Sequence, residues 1–280
     1  MESRLTFHSK QTTEAWQHKI RVEREKYYKS QKNIWDNIDK SLKNAIIRKC
    51  TRKQAKKIIL EYEWLGTLPP STIYFGIFFE NICGGVVCYV MNGGGINTAR
   101  MYGVKNKNVA YLCRGACSYW TPSGSASKLI SMSLKLIKKE YSYAKVAHAY
   151  SDTDAGEYGT VYQATNWICL GKYGSGATQL LDRNNKIYHD NILTNLAKKH
   201  NVSREIVFKK LQNMGWKRQK VNPKYRYCYI LVDEPEKTII YNRIKHLIVN
   251  YPKRKADTLK KGSGDQPEKG GANPTCPLHL

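Results

Sequence analysis

The chain has 280 residues, of which 41% are hydrophobic and 11% aromatic, so it can fold around a real core and is not a disordered polypeptide. Its 47 lysines and arginines outnumber 22 acidic residues, and the net charge of +25 favours a polyanionic partner, nucleic acid before a membrane surface. No apolar run approaches the roughly 20 residues of a membrane span, and the N-terminus lacks a signal peptide's apolar core. We therefore expect a cytoplasmic protein without a membrane partner.

The N-terminal part of the chain predicts an arm followed by a strand and a helix. Residues 1–43 are polar and charged, with a stretch typical of a basic helix. A short strand is expected within residues 44–50. Thr51 then suits the cap of a helix whose apolar positions recur at helical spacing, namely Ala55, Ile58, Ile59 and Tyr62.

Two apolar runs further along the chain predict a β-hairpin. Residues 72–79 and 82–90 are separated by a two-residue turn, Glu80-Asn81. Gly84 and Gly85 inside the second run indicate a bulge or a close approach of another segment. The glycine-rich residues 92–108 that follow are expected to form a loop.

The stretch from Val109 to Gly171 contains the most informative signals. It predicts a buried strand over residues 111–119 and then a long, mostly buried helix from Lys128. Between them lie five small residues, Ser123, Gly124, Ser125, Ala126 and Ser127. Backbone amides and the helix dipole make such a helix start a site for phosphate, although a plain helix cap explains the same residues. A strand carrying His148, a short helix and a further strand follow, and His148 is interpreted as a core residue.

Residues 189–216 predict two short helices around Asn201-Val202. Asn201 tolerates the left-handed turn and Ser203 suits the cap of the second helix, a pattern that resembles a helix-turn-helix. A helical hairpin packed on the core is the alternative. The second helix would expose Arg204, Glu205, Phe208, Lys209 and Gln212. We expect five segments: a basic helical arm (1–43), a core (44–188), the helix-turn-helix-like insertion (189–218), a strand and helix completing the core (219–252) and a basic disordered tail (253–280).

The order of these elements resembles the GNAT superfamily of N-acetyltransferases. That resemblance implies an α/β (α+β) fold with a mixed, mostly antiparallel central sheet flanked by helices. In this superfamily the pattern Gln/Arg-x-x-Gly-x-Gly/Ala holds the pyrophosphate of acyl-coenzyme A. Gly124 and Ala126 match the pattern, and Thr121 stands at its first position. Acetyl-CoA would therefore lie on the small residues 123–127, with Arg114 beside it.

Longer segments resemble the phage Mom DNA-modification proteins. They are YEWLGTLP, the YFGIFF and CGGVVCY hairpin, AYSDTDAGEYGTVYQATNW and PKYRYCYIL, over roughly residues 44–175 with a return at 223–231. The resemblance implies an enzyme that places a methylcarbamoyl-type group on adenine N6 in phage DNA, protecting it from restriction in the bacterial host cytoplasm. Its partner would be double-stranded DNA with the adenine flipped out. An N-acetyltransferase acting on RNA, protein or a small molecule is one alternative, and a non-enzymatic DNA-binding protein is another.

Adenine's exocyclic amine is a poor nucleophile, so its modification needs a proton acceptor. Asp152 and Asp154 follow a buried strand, where a ligand could meet them, although they could equally bond their own turn. The Tyr162 hydroxyl could donate to a carbonyl or leaving thiolate, or Tyr162 could be a core residue. Ser118 flanks the central strand as a further candidate.

Other candidates concern substrate and metal. Trp64 could stack on a flipped base beside Glu63. Arg204 and Lys209 could add a second DNA contact. The Mom resemblance implies an iron ion held by Tyr62, Asp152 and Tyr162, hard oxygen ligands that suit iron. The oligomeric state stays open, a homo-oligomer included.

Overall fold

The structure is a computed structural model and describes residues 15–69, 72–92, 95–174, 178–184 and 187–253. Most of the predicted tail and the first 14 residues of the predicted arm lie outside these ranges. The helices are α1 (Trp16–Tyr28), α2 (Arg52–Tyr62), α3 (Gly95–Tyr102), α4 (Ser125–Glu140), α5 (Thr160–Gln163), α6 (Asn191–His200), α7 (Arg204–Asn213) and α8 (Glu236–Ile244). The strands are β1 (Ile46–Lys49), β2 (Thr72–Phe79), β3 (Ile82–Met91), β4 (Val109–Cys117), β5 (Val146–Ser151), β6 (Ile168–Tyr173), β7 (Thr178–Leu181), β8 (Ile187–His189), β9 (Lys217–Lys220) and β10 (Lys224–Ile230). None of the described helices is long and apolar enough to cross a membrane.

Seven strands form the central sheet in the order β1-β2-β3-β4-β5-β10-β6. β4 and β5 run parallel, and the other neighbouring pairs are antiparallel. A parallel pair needs a crossover connection, and α4 provides it. This mixed, mostly antiparallel sheet flanked by helices confirms the predicted fold class.

Alternation along the hairpin β2–β3 assigns each helix to one face of the sheet. Phe75 and Ile77 belong to the cluster that also contains Leu129 of α4. Tyr74, the residue before Phe75, belongs to the cluster containing Ile59 of α2. Successive strand residues point to opposite faces, so α4 and α2 pack on opposite faces. The register shift after Ile77 is the bulge that the adjacent glycines predicted.

The loop prediction for residues 92–108 is wrong in part, because α3 lies within it. Thr98, Ala99 and Tyr102 are buried, and Tyr102 packs in a cluster with Ile240 of α8. Neighbouring glycines hid this short helix in the sequence, since its stability comes from packing against a distant helix. The Tyr102 hydroxyl lies 2.7 Å from His148 Nδ1. Burial lowers the pKa of His148 to about 3, which confirms it as a neutral core residue.

A second sheet carries α6 and α7. Its order is β8-β7-β9, and both pairs are antiparallel. Asn201 ends α6 with a φ of +49°, and the Ser203 hydroxyl accepts from the Ile206 amide to cap α7, as predicted. A small cluster holds the unit together, with Leu180, Leu193, Ala197 and Val207 buried. We call residues 178–220 the helical module.

Candidate active site

The central sheet opens between its two parallel strands. β4 pairs with β5 from Val109 to Leu112, but β4 continues to Cys117. The divergence leaves a cleft with a cavity of about 200 Å³. Its walls come from β4, the start of α4, the loop after β5, and α5, while the start of α1 and the end of α2 complete it. Four helices and three strands, β3, β4 and β5, thus bring together residues that are far apart in sequence.

The start of α4 forms one end of the cleft. Gly124 precedes the helix with a φ of +85°, a conformation that costs glycine little. Ala126 lines the cavity, Ser123 and Gly124 are exposed, and Ser125 is buried with its hydroxyl donating to the Pro122 carbonyl. Amides in the first turn of a helix lack intrahelical acceptors, so this loop fits the pyrophosphate of a coenzyme A through its backbone.

The segment before β1 lies close to this loop. Lys128 Nζ donates to the Leu42 carbonyl. A Cβ built on Gly124 would lie 3.1 Å from Leu42 Cδ1, which leaves little room for a side chain at residue 124. The segment before β1 therefore forms part of the surroundings of the start of α4.

Glu157 is the functional candidate that sequence reasoning missed. It lies in the loop between β5 and α5, is partly buried and lines the cavity. Its pKa is raised to about 8, first by removal from water and then by the negative charges of Glu63 and Asp152. Lys224 and a hydrogen bond from the Gln17 side chain act in the opposite direction. A carboxyl group with a pKa near neutrality can both accept and release a proton under physiological conditions.

Helix α1 covers the open edge of β4 and so is more than a basic arm. Gln17 Nε2 donates to the Gly115 carbonyl over 2.7 Å. Arg21 donates to the Tyr119 and Thr121 carbonyls at 3.2 and 2.7 Å, which holds the turn before α4. Gln17 therefore connects the edge of β4 with Glu157, and α1 helps to exclude water from the cleft.

Glu63 and Arg114, both predicted site residues, meet at the cavity wall. Arg114 Nε lies 3.7 Å from a Glu63 carboxylate oxygen and donates to the Thr67 carbonyl at 2.9 Å. The same Glu63 oxygen accepts from the Gly66 amide at 2.7 Å. Arg114 thus holds the loop after α2 against the cleft while keeping one face on the cavity.

Tyr162 lines the cavity and is also a core residue. Only 8% of its surface is exposed, and its ring centroid lies 5.0 Å from that of Tyr227 and 5.1 Å from that of Trp167. Burial, and then the charge of Glu157, raises the pKa of Tyr162 well above its ordinary value. Its hydroxyl therefore keeps its proton and can act as a hydrogen-bond donor.

Asp152 and Asp154 do not line the cavity. Asp154 accepts from the side chain and backbone amides of Asn222 at 2.6 and 3.2 Å. Asp152 pairs with Lys224 at 2.7 Å and accepts from the Asp154 amide, the turn-bonding alternative. Both carboxylates thus connect the loop of Glu157 to the start of β10, through Lys224, and to Asn222 just before it. Ser118 is buried outside the cavity lining, and its backbone amide donates to Gly84.

The implied iron site is not supported. Tyr62 packs in the cluster of α1 and α2, Tyr162 packs on the opposite face, and Asp152 is already neutralised by Lys224. Within the described ranges no group of three His, Cys, Asp or Glu side chains could hold a metal ion. These residues do not fit the metal.

The remaining candidates lie outside the cavity lining. Trp64 packs edge to face on Trp16, with ring centroids 5.0 Å apart. Arg204 and Lys209 belong to α7 of the helical module, where Arg204 pairs with Asp190. The structure therefore brings Glu63, Arg114 and Tyr162 together with the start of α4 around Ala126. It leaves Ser118, Asp152, Asp154, Trp64, Arg204 and Lys209 outside the cavity lining.

Solved structures similar to this fold are acyl-transferring enzymes of low identity. A GNAT-family acetyltransferase from Streptococcus pneumoniae is 12% identical, covering 66% of this chain and 98% of its own, with a TM-score of 0.37. An N-acyl amino acid synthase from uncultured soil microbes is 14% identical over 67% and 90%, with a TM-score of 0.38. An aminoglycoside 6'-N-acetyltransferase from Enterococcus faecium is 9% identical over 68% and 99%, with a TM-score of 0.37. These values are too low to assign a function.

A sequence profile gives a firmer relationship. No curated protein matches the chain in sequence. The profile of the Mom protein family, however, matches residues 44–253. That range is most of the chain. It contains the ten described strands and the helical module, together with the cleft residues other than those at α1. The match confirms the resemblance noted in the sequence, and the chain belongs to the Mom protein family.

Proposed function

We propose that this protein is an acyl-coenzyme A-dependent transferase that modifies the N6 amine of adenine in double-stranded DNA. The observation that carries the proposal is the cleft, which combines a helix start suited to pyrophosphate with the partly buried carboxyl group of Glu157. Membership of the Mom family and the charge of +25 support DNA as the substrate. A duplex hides the amine within the base stack, so the adenine would have to be flipped out.

The chain's own residues suit this chemistry. The first turn of α4, from Ser125, would bind the pyrophosphate. Bound acyl-coenzyme A would supply the activated acyl carbon and leave as a protonated thiol when its carbon–sulfur bond is replaced by the new bond to N6. Glu157 in its ionised form would accept the proton that the N6 amine loses. Tyr162 would donate a hydrogen bond to an oxygen or sulfur atom that gains negative charge. Gln17 and α1 would keep water away from Glu157.

The test is mass spectrometry of nucleosides from plasmid DNA of cells that express the protein, compared with cells carrying an empty vector. A heavier deoxyadenosine present only with the protein is the expected result, and its mass identifies the group. Calorimetry with acetyl-CoA distinguishes the remaining outcomes. Cofactor binding with unmodified DNA would favour acetylation of RNA, protein or a small molecule, and no cofactor binding would favour a DNA-binding protein without this activity.

A further inference from the structure

The helical module has its own charge pattern, separate from that of the cleft. Residues 178–220 contain ten basic and three acidic residues. Two of the three acidic side chains are engaged within the module. Asp190 pairs with Arg204 and lies 3.9 Å from Arg218, and Asp182 accepts from the Tyr188 hydroxyl and the Asn184 amide. The basic surplus is therefore carried by lysines.

Six of these lysines are exposed and form no ion pair with any residue in the described ranges: Lys198, Lys199, Lys209, Lys210, Lys217 and Lys220. They come from α6, α7 and β9, which belong to one packed unit. Unpaired, solvated lysines on one small unit repel each other and favour a polyanion. We propose that the helical module is a docking site for duplex DNA, additional to the cleft, in which α7 enters the major groove.

The shape of α7 favours DNA among polyanions. Val207 is buried and Leu211 is partly buried, so one face of the helix is fixed on the module. Lys209, Gln212 and Asn213 are exposed on the rest of the helix. A B-form major groove admits an α-helix, whereas the major groove of an RNA duplex is too narrow. Exposed amides such as Gln212 can also bond an adenine edge in that groove.

Contacts inside the module make α7 a firm platform. The Arg218 guanidinium of β9 lies 4.2 Å from the centre of the Phe208 ring. Arg218 and Arg204 also share Asp190, so the ends of α6, α7 and β9 are joined. Arg204 and Arg218 thus have structural partners, so we assign the phosphate contacts mainly to the lysines. The predicted DNA contact by Arg204 is accordingly replaced by lysine contacts.

The module is also joined to the loop of the candidate base. After β9, Asn222 is held by Asp154 and Lys224 by Asp152, and both aspartates lie in the loop that carries Glu157. DNA held by the module would thus be connected to the cleft through a few residues.

The experiment measures binding of a fluorescent 24-base-pair DNA duplex to the full chain as a function of salt. We compare two double variants. One combines Lys209→Glu and Lys210→Glu in the module, and the matched control combines Lys135→Glu and Lys139→Glu on α4. All four lysines are exposed. Both double variants change the net charge equally. We expect the module pair to weaken binding at least about tenfold and to reduce the salt slope by about two, with less than about threefold weakening for the α4 pair. The neutral variant Lys209→Gln with Lys210→Gln should show an intermediate loss.

Equal losses for the two pairs, no loss for the module pair, or tighter binding of duplex RNA than duplex DNA would overturn the docking site. Thermal melts check that the exposed substitutions leave the fold intact. The nucleoside assay separates this inference from the proposed function. Module-dependent binding without any modified adenine would retain the docking site and reject the transferase proposal. Full modification and unchanged binding in the module variants would retain the transferase proposal and reject the docking site.

Discussion

The cleft and the helical module use charge in opposite ways. In the cleft, Glu157 is partly buried beside another carboxylate, and its pKa is raised to about 8. In the module, lysines such as Lys209 and Lys210 are exposed and lack an acidic partner among the described residues. Proton transfer gains from a site poor in water, where a carboxyl group is reactive near neutral pH. Binding a polyanion gains from charges that stay solvated until phosphates replace their counterions.

The two regions also differ in their cores. Trp167 and Tyr227, fully buried, belong to the core beside the cleft. Among the described residues, four buried side chains of modest size hold the module, and the rings of Tyr188 and Trp216 pack at a tilt with their centroids 4.7 Å apart. A small core supports less stability, so we expect the module to be the less stable of the two regions.

The largest effect is expected from Glu157→Gln, which keeps the size of the side chain and removes the proton acceptor. Loss of a general base typically costs about 10²–10⁴-fold in rate. We expect modification of DNA to fall by about 10³-fold, while duplex binding stays unchanged because the module is intact. Glu25→Gln, on the exposed side of α1, is the matched control and should be fully active. A Glu157→Gln enzyme with more than half of the wild-type rate would remove Glu157 from the mechanism.

The substitution Glu157→Gln should also stabilise the protein at high pH. The pKa of Glu157 rises from its ordinary 4.5 to about 8 on folding, so the folded state holds this proton more tightly. The free energy of unfolding therefore falls as pH rises from about 4.5 to 8. One pKa unit corresponds to about 1.4 kcal/mol. Glu157 is only partly buried, and we expect Glu157→Gln to be more stable than the wild type by about 2–3 kcal/mol at pH 9.

Urea unfolding at pH 5 and pH 9 checks this expectation. The difference between wild type and Glu157→Gln should be small at pH 5, because there the wild-type carboxyl is protonated in the folded state. An equal difference at both pH values would mean that Glu157 is not held in a water-poor site, and the contrast with the module would disappear.

Gln17→Leu should have a moderate effect, because Gln17 positions Glu157 without itself exchanging protons. Its hydrogen bond lowers the pKa of Glu157, so its loss should move the rise of the pH–rate profile to higher pH. We expect about a tenfold loss of rate at pH 7 and a smaller loss at pH 9. Val22→Leu, on the exposed side of the same helix, is the control. A uniform loss across the pH range would indicate a packing role alone.

Local sequence patterns were sufficient for much of the fold. The hairpin β2–β3 and the caps at Thr51 and Ser203 depend on neighbours within a few residues, and the structure has them as predicted. α3 was missed because its buried residues face α8, more than 130 residues away in the chain. The prediction that the small residues around Gly124 open a helix needs only local backbone geometry, and α4 begins at Ser125.

The site was less predictable than the fold. Three acidic residues follow β5, and Asp152 and Asp154 were chosen because they stand closest to the strand end. Their partners, Lys224 and Asn222, are about 70 residues further along the chain, so the sequence could not show that both were engaged. Glu157 gains its raised pKa from burial first and then from the charge of Glu63, which lies far before it in the chain. Acidity at a strand end indicates a candidate region, and tertiary contacts decide which carboxylate is reactive.

The smallest effect, and the one that tests the connection between the two regions, concerns the contact of Asp154 with Asn222. Asp154→Ala removes both bonds that its oxygens accept from Asn222, whereas Asn222→Ala removes the side-chain bond and keeps the bond from the backbone amide. We expect each to reduce modification by up to about threefold, with duplex binding unchanged, because the Glu157 loop loses a contact with the chain near β10. The side-chain bond is lost in both variants, so the double variant should lose no more activity than Asp154→Ala alone. If Asp154 is instead a proton acceptor, Asp154→Ala alone should abolish activity while Asn222→Ala leaves most of it, and the cleft would then contain two reactive carboxylates rather than one.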